Sequence, residues 1–365
     1  MEPTILIVKA DSVNSLDEIT ALVKEAGFYP KEIINIKKID NACFLTPGKI
    51  TKLKYLIESN SIKKICVYAE LKPRQVTCLV KELKVDVVDK VMLILTIFQQ
   101  HAGSKEALLQ IEMARLRHQL PLIRDWIRRV KMGELPGFLS MGRYAVDVYY
   151  KHVKKRITRI DRELEELRAR RAIEREKRRS AGYTHIAIVG YTNAGKTTLF
   201  NALTNLSKPT GNEMFTTLSS KSYAIKLCNT SFVLIDTIGF IKDIPVGIIE
   251  SFRAVLEEVS NADIIFLVVD GSKSLDNLFI EVNTSLDILR DVGALGKPIF
   301  VIINKIDLIN NSNVDEYVKS IESHIKKYID SLVDVIPLSA LKKLNIDMVK
   351  DSLCRYVQKE NIFSS

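Results

Sequence analysis

The sequence predicts an α/β protein in which two blocks of alternating strand and helix patterns flank a charged block with helical periodicity alone. Three observations carry this reading: where the short apolar runs fall, where they stop, and where the positive charge collects. Residues 1 to about 95 set the runs Ile5 to Val8, Lys64 to Tyr68 and Val85 to Val88. These alternate with helix-like stretches at Leu16 to Ala26, Pro47 to Glu58 and Pro73 to Leu83. Short apolar runs separated by helix-length segments predict a small domain with a mostly parallel sheet. No catalytic constellation is visible in it.

The strand pattern ends near Ile97, and residues 96–180 form the second block. The segment Lys105 to Lys131 is separated from a second helical segment by the loop-like stretch Met132-Gly-Glu-Leu-Pro-Gly-Phe-Leu-Ser-Met-Gly142. In the second segment Val153, Ile157, Ile160, Leu164 and Leu167 recur at steps of four and three. That is an apolar heptad seam, which requires a helical partner. The preceding segment, returning as an antiparallel hairpin, is the nearest one. A seam satisfied within one chain predicts a monomer. Beyond Leu167 it dissolves into Arg168-Ala-Arg-Arg171 and Arg175-Glu-Lys-Arg-Arg179, expected to be an exposed linker.

Residues 181–365 return to alternation, with strands expected at Thr184 to Val189, Lys221 to Leu227, Ser231 to Ile235, Ile264 to Val269, Pro298 to Ile303 and Val333 to Pro337. Asn229-Thr230 reads as a tight turn between the second and third of these. One antiparallel strand in an otherwise parallel, doubly wound sheet is the predicted result.

Composition narrows the function classes. The formal net charge is +10 over 365 residues, and residues 101 to 180 hold 21 Lys and Arg against 11 Asp and Glu. The middle block thus carries an excess equal to that of the whole chain, which predicts a polyanionic partner for it. The aliphatic runs fall far short of the roughly 20 apolar residues that a bilayer span needs. The N-terminus enters a strand-like run without a signal-peptide pattern, so a cytoplasmic location is expected. Five single cysteines, Cys43, Cys66, Cys78, Cys228 and Cys354, form no metal-ligand spacing and are expected to be buried, reduced thiols. The five histidines are equally dispersed.

The chemistry concentrates after the first strand of the third block. Gly190-Tyr-Thr-Asn-Ala-Gly195-Lys196-Thr197 has the spacing of a phosphate-binding loop, and it sits between an apolar strand and the helical Thr198-Leu-Phe-Asn-Ala-Leu203. Its glycines let the amides of Asn193, Ala194 and Gly195 turn toward phosphates, backed by the positive helix end that begins at Lys196, Thr197 and Thr198. Lys196 would reach the β and γ phosphates, and the Thr197 hydroxyl a magnesium ion. Asp236-Thr-Ile-Gly239 closes another strand, which puts Asp236 where it can hold magnesium and the Gly239 amide where it can sense a γ-phosphate. Asn304-Lys305-Ile-Asp307 closes a third. There Asp307 can accept from the N1–H and 2-amino group of guanine, donors that adenine lacks, and an unpaired buried carboxylate would penalise ATP. Ser339-Ala340 is expected to offer a backbone amide to the guanine oxygen.

Within Phe215-Thr216-Thr217-Leu218, Thr217 is the candidate switch threonine that joins the magnesium only when the γ-phosphate is present, with Thr216 as the alternative. Ras-like GTPases place a water-orienting glutamine after the glycine of the Asp236 motif, whereas here Phe240 stands there. Phenylalanine cannot align water, which predicts slow intrinsic hydrolysis. Asn193 resembles the residue of GTPases that recruit a potassium ion, the alternative being a loop-shaping role.

With these residues in place, the chain resembles the HflX family of translational GTPases. The likeness runs through Asp236-Thr-Ile-Gly-Phe-Ile241, Lys242-Asp-Ile-Pro245, Ser251-Phe-Arg-Ala-Val-Leu-Glu-Glu258, Ala262-Asp263 and Val268-Val-Asp270. Upstream it continues through Leu71-Lys-Pro-Arg-Gln75, Asp89-Lys-Val-Met-Leu-Ile94, Leu109-Gln-Ile-Glu112 and Ala114-Arg-Leu116. It departs at Ser140-Met-Gly-Arg-Tyr-Ala-Val-Asp147, where many members carry a glycine-rich G-P-G-E segment. The resemblance implies a C-terminal Ras-like P-loop GTPase domain preceded by a small α/β domain and a helical hairpin. It also implies binding to the large ribosomal subunit and its rRNA, and GTP-dependent ribosome dissociation or rescue. An Obg-like assembly GTPase, or a GTP-dependent switch for a protein partner, are the competing readings.

Overall fold

The computed structural model describes residues 1–10, 16–132, 143–206, 221–237, 239–240, 253–309 and 314–364. The chain forms two compact units, Met1–Leu167 and Arg168–Ile244 with Phe252–Ser365.

In the first unit, β1 (Glu2–Lys9), β2 (Phe28–Ile36), β3 (Lys64–Val67) and β4 (Asp86–Asp89) form one sheet in the order β2-β1-β3-β4. Every pairing is parallel. The connecting helices are α1 (Leu16–Glu25), α2 (Pro47–Ser59) and α3 (Pro73–Leu83), two of which start on a proline that presets helical φ. Strand β2 escapes the sequence reading because Pro30 interrupts it and most of its side chains are exposed. Its place at the sheet edge is where a strand tolerates a proline, and the register slips at that point, between Thr4 and Ile5 of its partner.

The run Val91 to Leu95 belongs to α4 (Lys90–His101), whose start is fixed by the Asp89 carboxylate accepting from the Met92 amide at 2.9 Å. Helix α5 (Lys105–Lys131) matches the expected segment. Its Leu109 and Met113 pack with Ile160 and Leu164 of α6 (Arg143–Ser180), so the heptad seam is satisfied inside the chain. Arg156 clasps Glu112 across the seam through two bonds of 2.6 and 2.7 Å.

The expected linker beyond Leu167 is helix instead: α6 runs on to Ser180, and residues 168–180 belong to the second unit. Polar bonds take over there from the apolar seam. Arg171 lies 3.7 Å from Glu258, Arg178 donates to Ser222 Oγ at 3.3 Å, and Arg179 donates to the Asn261 carbonyl at 2.8 Å.

The second unit is a six-stranded sheet of β5 (Tyr183–Gly190), β6 (Lys221–Leu227), β7 (Thr230–Asp236), β8 (Ile264–Asp270), β9 (Ile299–Asn304) and β10 (Leu332–Pro337). The order is β10-β9-β8-β5-β7-β6, and β6 is antiparallel. Its hairpin turns on Cys228 and Asn229, both at positive φ, the geometry of a two-residue turn matched to strand twist. Strands β8 and β9 are buried throughout, covered on both faces by α7 (Lys196–Thr204), α8 (Arg253–Asn261), α9 (Leu275–Asp291), α10 (Val314–Ile325) and α11 (Ile346–Ser364). No helix among the described residues is long and apolar enough to cross a membrane.

The cysteines depart from expectation. Cys43 and Cys78 meet with Cα atoms 5.1 Å apart, and the exposed Cys228 meets Cys354 of α11 at 5.8 Å, so each of these four thiols has another within bridging distance. Sequence separations of 35 and 126 hide this proximity from any spacing rule. Cys66 alone matches the expectation, as a buried thiol.

Candidate functional site: a phosphate loop and a purine pocket

The site stands at the C-terminal ends of β5, β7, β8 and β9, where the strand order of an open α/β sheet reverses and ligands bind. Strand β5 ends at Gly190, and α7 starts at Lys196 with Gly195 as its N-cap at φ +93°. A Cβ at Gly195 would stand 2.1 Å from Asn304 Nδ2, so both conformation and space demand glycine there. Asn193, exposed at the crest of the loop, holds a left-handed φ of 62°, which asparagine tolerates better than most residues.

Lys196 is buried, and its ammonium donates to the carbonyls of Gly190 at 3.1 Å and Tyr191 at 2.7 Å. Burial pushes its pKa down to about 8, against the pull of the Asp236 and Glu281 carboxylates. Thr197 Oγ1 donates to Asp236 Oδ2 at 3.0 Å, so the structure brings together two of the three predicted magnesium residues. A fully buried carboxylate beside a hydroxyl is a hard-oxygen donor set that suits magnesium. Thr198 follows on α7, half-buried. Thr217 and Thr216 lie outside the described residues, as does the loop from Gly133 to Gly142.

After Asp236 the chain stays against the phosphate loop. Thr237 Oγ1 donates to the Ile188 carbonyl at 2.7 Å. Gly239 passes so close that a Cβ there would meet Lys196 Nζ and Thr192 Cα, each at 2.9 Å. The Phe240 amide then donates to Gly190 O at 2.9 Å, and the Thr192 amide donates to Phe240 O at 2.7 Å. The Phe240 ring is 3 % exposed and joins Tyr191 in the core. Sequence reading identified a residue unable to align water; the structure adds that its side chain points into the core.

The purine end differs from expectation in two ways. Asp307 is exposed, on a short 3-10 turn after β9. Its carboxylate is therefore hydrated until a base covers it, and the penalty against adenine arises only on binding. The Ser339 amide donates to Leu344 O at 3.1 Å and the Ala340 amide to Asn304 Oδ1 at 2.9 Å, so both predicted guanine donors are engaged within the protein. The next amide, that of Leu341, has no such partner among the described residues, and its side chain is 73 % exposed. Asn304 is the organiser here, since its Nδ2 also donates to the Ala194 carbonyl of the phosphate loop at 2.8 Å. Sequence reasoning missed Asp270, a buried carboxylate at the end of β8 that accepts from Lys305 Nζ at 2.7 Å and fixes that lysine. The signal was legible: an aspartate closing an otherwise apolar strand.

Comparison with known proteins agrees with this geometry. The family described as 50S ribosome-binding GTPase matches residues 185–305, the GTP-binding GTPase middle region matches 101–178, and the GTP-binding GTPase N-terminal region matches 13–99. The chain is 44 % identical over 343 residues to GTPase HflX of Hyperthermus butylicus, covering 93 % of this chain and 92 % of that one. The chain belongs to the HflX family of GTPases. GTPase HflX of Saccharolobus solfataricus is 40 % identical over 92 % of this chain and 94 % of its own length. Among solved HflX-like structures, one described as the SsGBP and GDP complex superposes with a TM-score of 0.55 at 33 % identity, covering 98 % of this chain and 99 % of that chain. A GTP-binding protein from the hyperthermophilic archaeon Sulfolobus solfataricus, also with GDP, gives 0.52 at 32 % identity and the same coverage. Like its HflX relatives, the chain binds guanine nucleotide and hydrolyses GTP.

Proposed function

We propose that this HflX chain uses GTP to control its binding to the large ribosomal subunit, through the helical region 101–180 and rRNA, in ribosome dissociation or rescue. The observation that carries the reading is a one-signed stripe on α6. Lys151, Lys155, Thr158 and Arg162 recur at helical spacing on the side opposite Val153, Ile160 and Leu164, which are buried in the seam. Lys154 and Arg159 flank them, and Lys154, Lys155, Thr158, Arg159 and Arg162 line one open groove. The stripe spans ~16 Å. Among the described residues Lys151, Lys155 and Arg162 have no acidic partner, whereas Arg156, on the seam side, is paired with Glu112. Solvated helix faces ordinarily mix both signs, so a run of cations favours a phosphate backbone. The match to a family described as ribosome-binding supports the same reading.

At the nucleotide site, Asn193, Ala194, Gly195, Lys196, Thr197 and Thr198 take the phosphates, and Asn304, Lys305, Asp307, Ser339 and Ala340 frame the base. Thr197, Asp236 and Thr217 hold magnesium, which when bound shields the phosphate charge. Lys196, Thr217 and the Gly239 amide bear on the transferred phosphate. With the Phe240 ring in the core, the chain supplies no water-aligning side chain at that position, and intrinsic turnover is slow. A potassium ion beside Asn193 would raise turnover in potassium over sodium chloride; equal rates reject it.

The test of the main reading is pelleting of the chain with large subunits, loaded with GDP or a non-hydrolysable GTP analogue, at two salt concentrations. Binding that depends on nucleotide and weakens steeply with salt is expected. Binding indifferent to salt would favour a protein partner, and no binding in either state rejects the proposal.

A further inference from the structure

We propose that Cys43–Cys78 and Cys228–Cys354 are disulfides in the working protein, one heat clasp in each compact unit, and that Cys66 is kept as a thiol. The argument starts from placement. Both Cα separations, 5.1 and 5.8 Å, fall in the range that a disulfide bridges without moving backbone. Each pair joins a turn to a helix and stays within one unit. Cys43 lies in the tight turn closed by the Asp40–Phe44 bridge, where its amide donates to Asp40 Oδ1 at 2.6 Å. Cys78 lies on α3, beside Thr77, which the Trp126 indole of α5 contacts at 3.0 Å. This clasp therefore holds the helix on which α5 rests.

In the second unit Cys228 forms the β6–β7 turn and Cys354 lies on α11. The loop that this pair closes contains Asp236, Asn304, Asp307 and Ser339, so every later part of the nucleotide site is tethered when the unit unfolds. The turn is at the opposite end of β7 from Asp236, seven residues along an extended strand. That is ~20 Å from the chemistry, which makes the bond a brace rather than a gate. Cys66 is built differently: it sits inside β3, Thr4 Oγ1 approaches its sulfur at 3.5 Å, and burial pushes its pKa up to about 11. A thiol with so little thiolate resists exchange.

Closure follows thiol–disulfide exchange. Two thiols pass two electrons and two protons to a disulfide oxidant, small-molecule or protein, which leaves as two thiols, and one S–S bond forms. Such bonds are rare inside most cells, and a covalent tie across a loop restricts the unfolded chain, so resistance to thermal unfolding is the function assigned to them.

The test uses the full chain from cells lysed directly into acid, then alkylated unfolded. One label without reductant and five with it are expected; three or five without reductant overturn the proposal. Calorimetry then assigns the clasps, with GDP marking the transition of the nucleotide unit. Reductant should lower both transitions by roughly 10 °C. Cys354→Ser should lower only the GDP-marked transition and Cys78→Ser only the other, with GTP turnover below both transitions within twofold of wild type. Transitions that move by less than 2 °C on reduction would overturn the heat role even with the bonds present.

Discussion

The two α/β units share one architecture and differ in what they place at the ends of their strands. The first sheet is parallel throughout and the second parallel but for β6, and in both the first strand of the unit lies inside the sheet, between β2 and β3 or between β8 and β7. The turn after β5 carries two positive-φ glycines and then Lys196 and Thr197. The corresponding sequence after β1, Ala10-Asp-Ser-Val-Asn-Ser15, has neither glycine nor lysine. The charged groups at the C-terminal ends of the first sheet are turned inward on one another. Asp89 takes the Met92 amide and, at 2.8 Å, His118 Nε2, while the Lys90 ammonium lies over the Tyr68 ring at 4.8 Å. In the second unit Asp307 is left to solvent, and the Lys196 ammonium donates to two backbone carbonyls. Architecture thus supplies the crevice, and only loops that leave charge available make it a nucleotide site.

The largest expected effect falls on the joint between chemistry and core. Phe240→Ala removes a ring that is nearly fully buried and should cost about 3–5 kcal/mol of stability in the second unit alone. Thermal unfolding with and without GDP reads it. Because the alanine variant mixes stability with activity, Phe240→Leu is the cleaner probe of catalysis and should keep GTP turnover within about threefold while nucleotide affinity holds. A Leu variant that folds and binds GDP but loses turnover by orders of magnitude would show the ring to be catalytic.

Asp307→Ala should come next, lowering GDP affinity by about 100-fold or more through two lost bonds to a charged acceptor. Asp89→Ala, the matching loss at the ends of the first sheet, should leave GDP affinity unchanged. Equal effects of the two changes on calorimetric GDP binding would break the contrast between the units.

The sequence carried the features set by local pattern. The phosphate loop, the antiparallel β6 and, of the five seam residues, Ile160, Leu164 and Leu167 depend on spacing within a few residues, and each appears where the spacing places it. What escaped depends on distant partners. Strand β2 exists because β1 pairs with it despite Pro30, and α6 continues past Leu167 because Glu258, Ser222 and Asn261 receive its arginines. The cysteine pairs are equally long-range. At the site, residue type was readable but state was not. The exposure of Asp307, the engagement of the Ser339 and Ala340 amides and the burial of Phe240 are set by contacts that no motif records.

A third effect follows from Lys196. Burial holds its pKa down to about 8, so above this pH the lysine is neutral, while phosphate charge beside it favours its charged form. Binding must then take up a proton. GDP affinity should be flat below pH 8 and fall by up to about tenfold per pH unit above it, until the pKa of the bound state is reached. Calorimetric titrations at pH 8.8 in two buffers of different ionisation enthalpy should report that uptake. No uptake, with affinity flat to pH 9.5, would mean that the lysine is already held protonated without phosphate.

The smallest effect belongs to the first unit, and it tests whether the inward-turned charges there stabilise the fold. Burial alone would lower the His118 pKa, but Asp89 at 2.8 Å and the charge of Glu70 outweigh it and raise it. A raised folded-state pKa means that this contribution is fully present below the unfolded value of about 6.5 and is lost as pH rises through the folded value. The first unit's transition should therefore fall between pH 6 and pH 8, while the GDP-marked transition should not follow this histidine. His118→Ala should remove that dependence and, by leaving the buried Asp89 oxygen short of a donor, cost about 1–3 kcal/mol. His118→Gln, which can still donate to Asp89 but cannot titrate, should restore part of the stability without the pH dependence. If the glutamine variant keeps the slope, another group in the first unit sets it, and the pairing with Asp89 is only a helix cap.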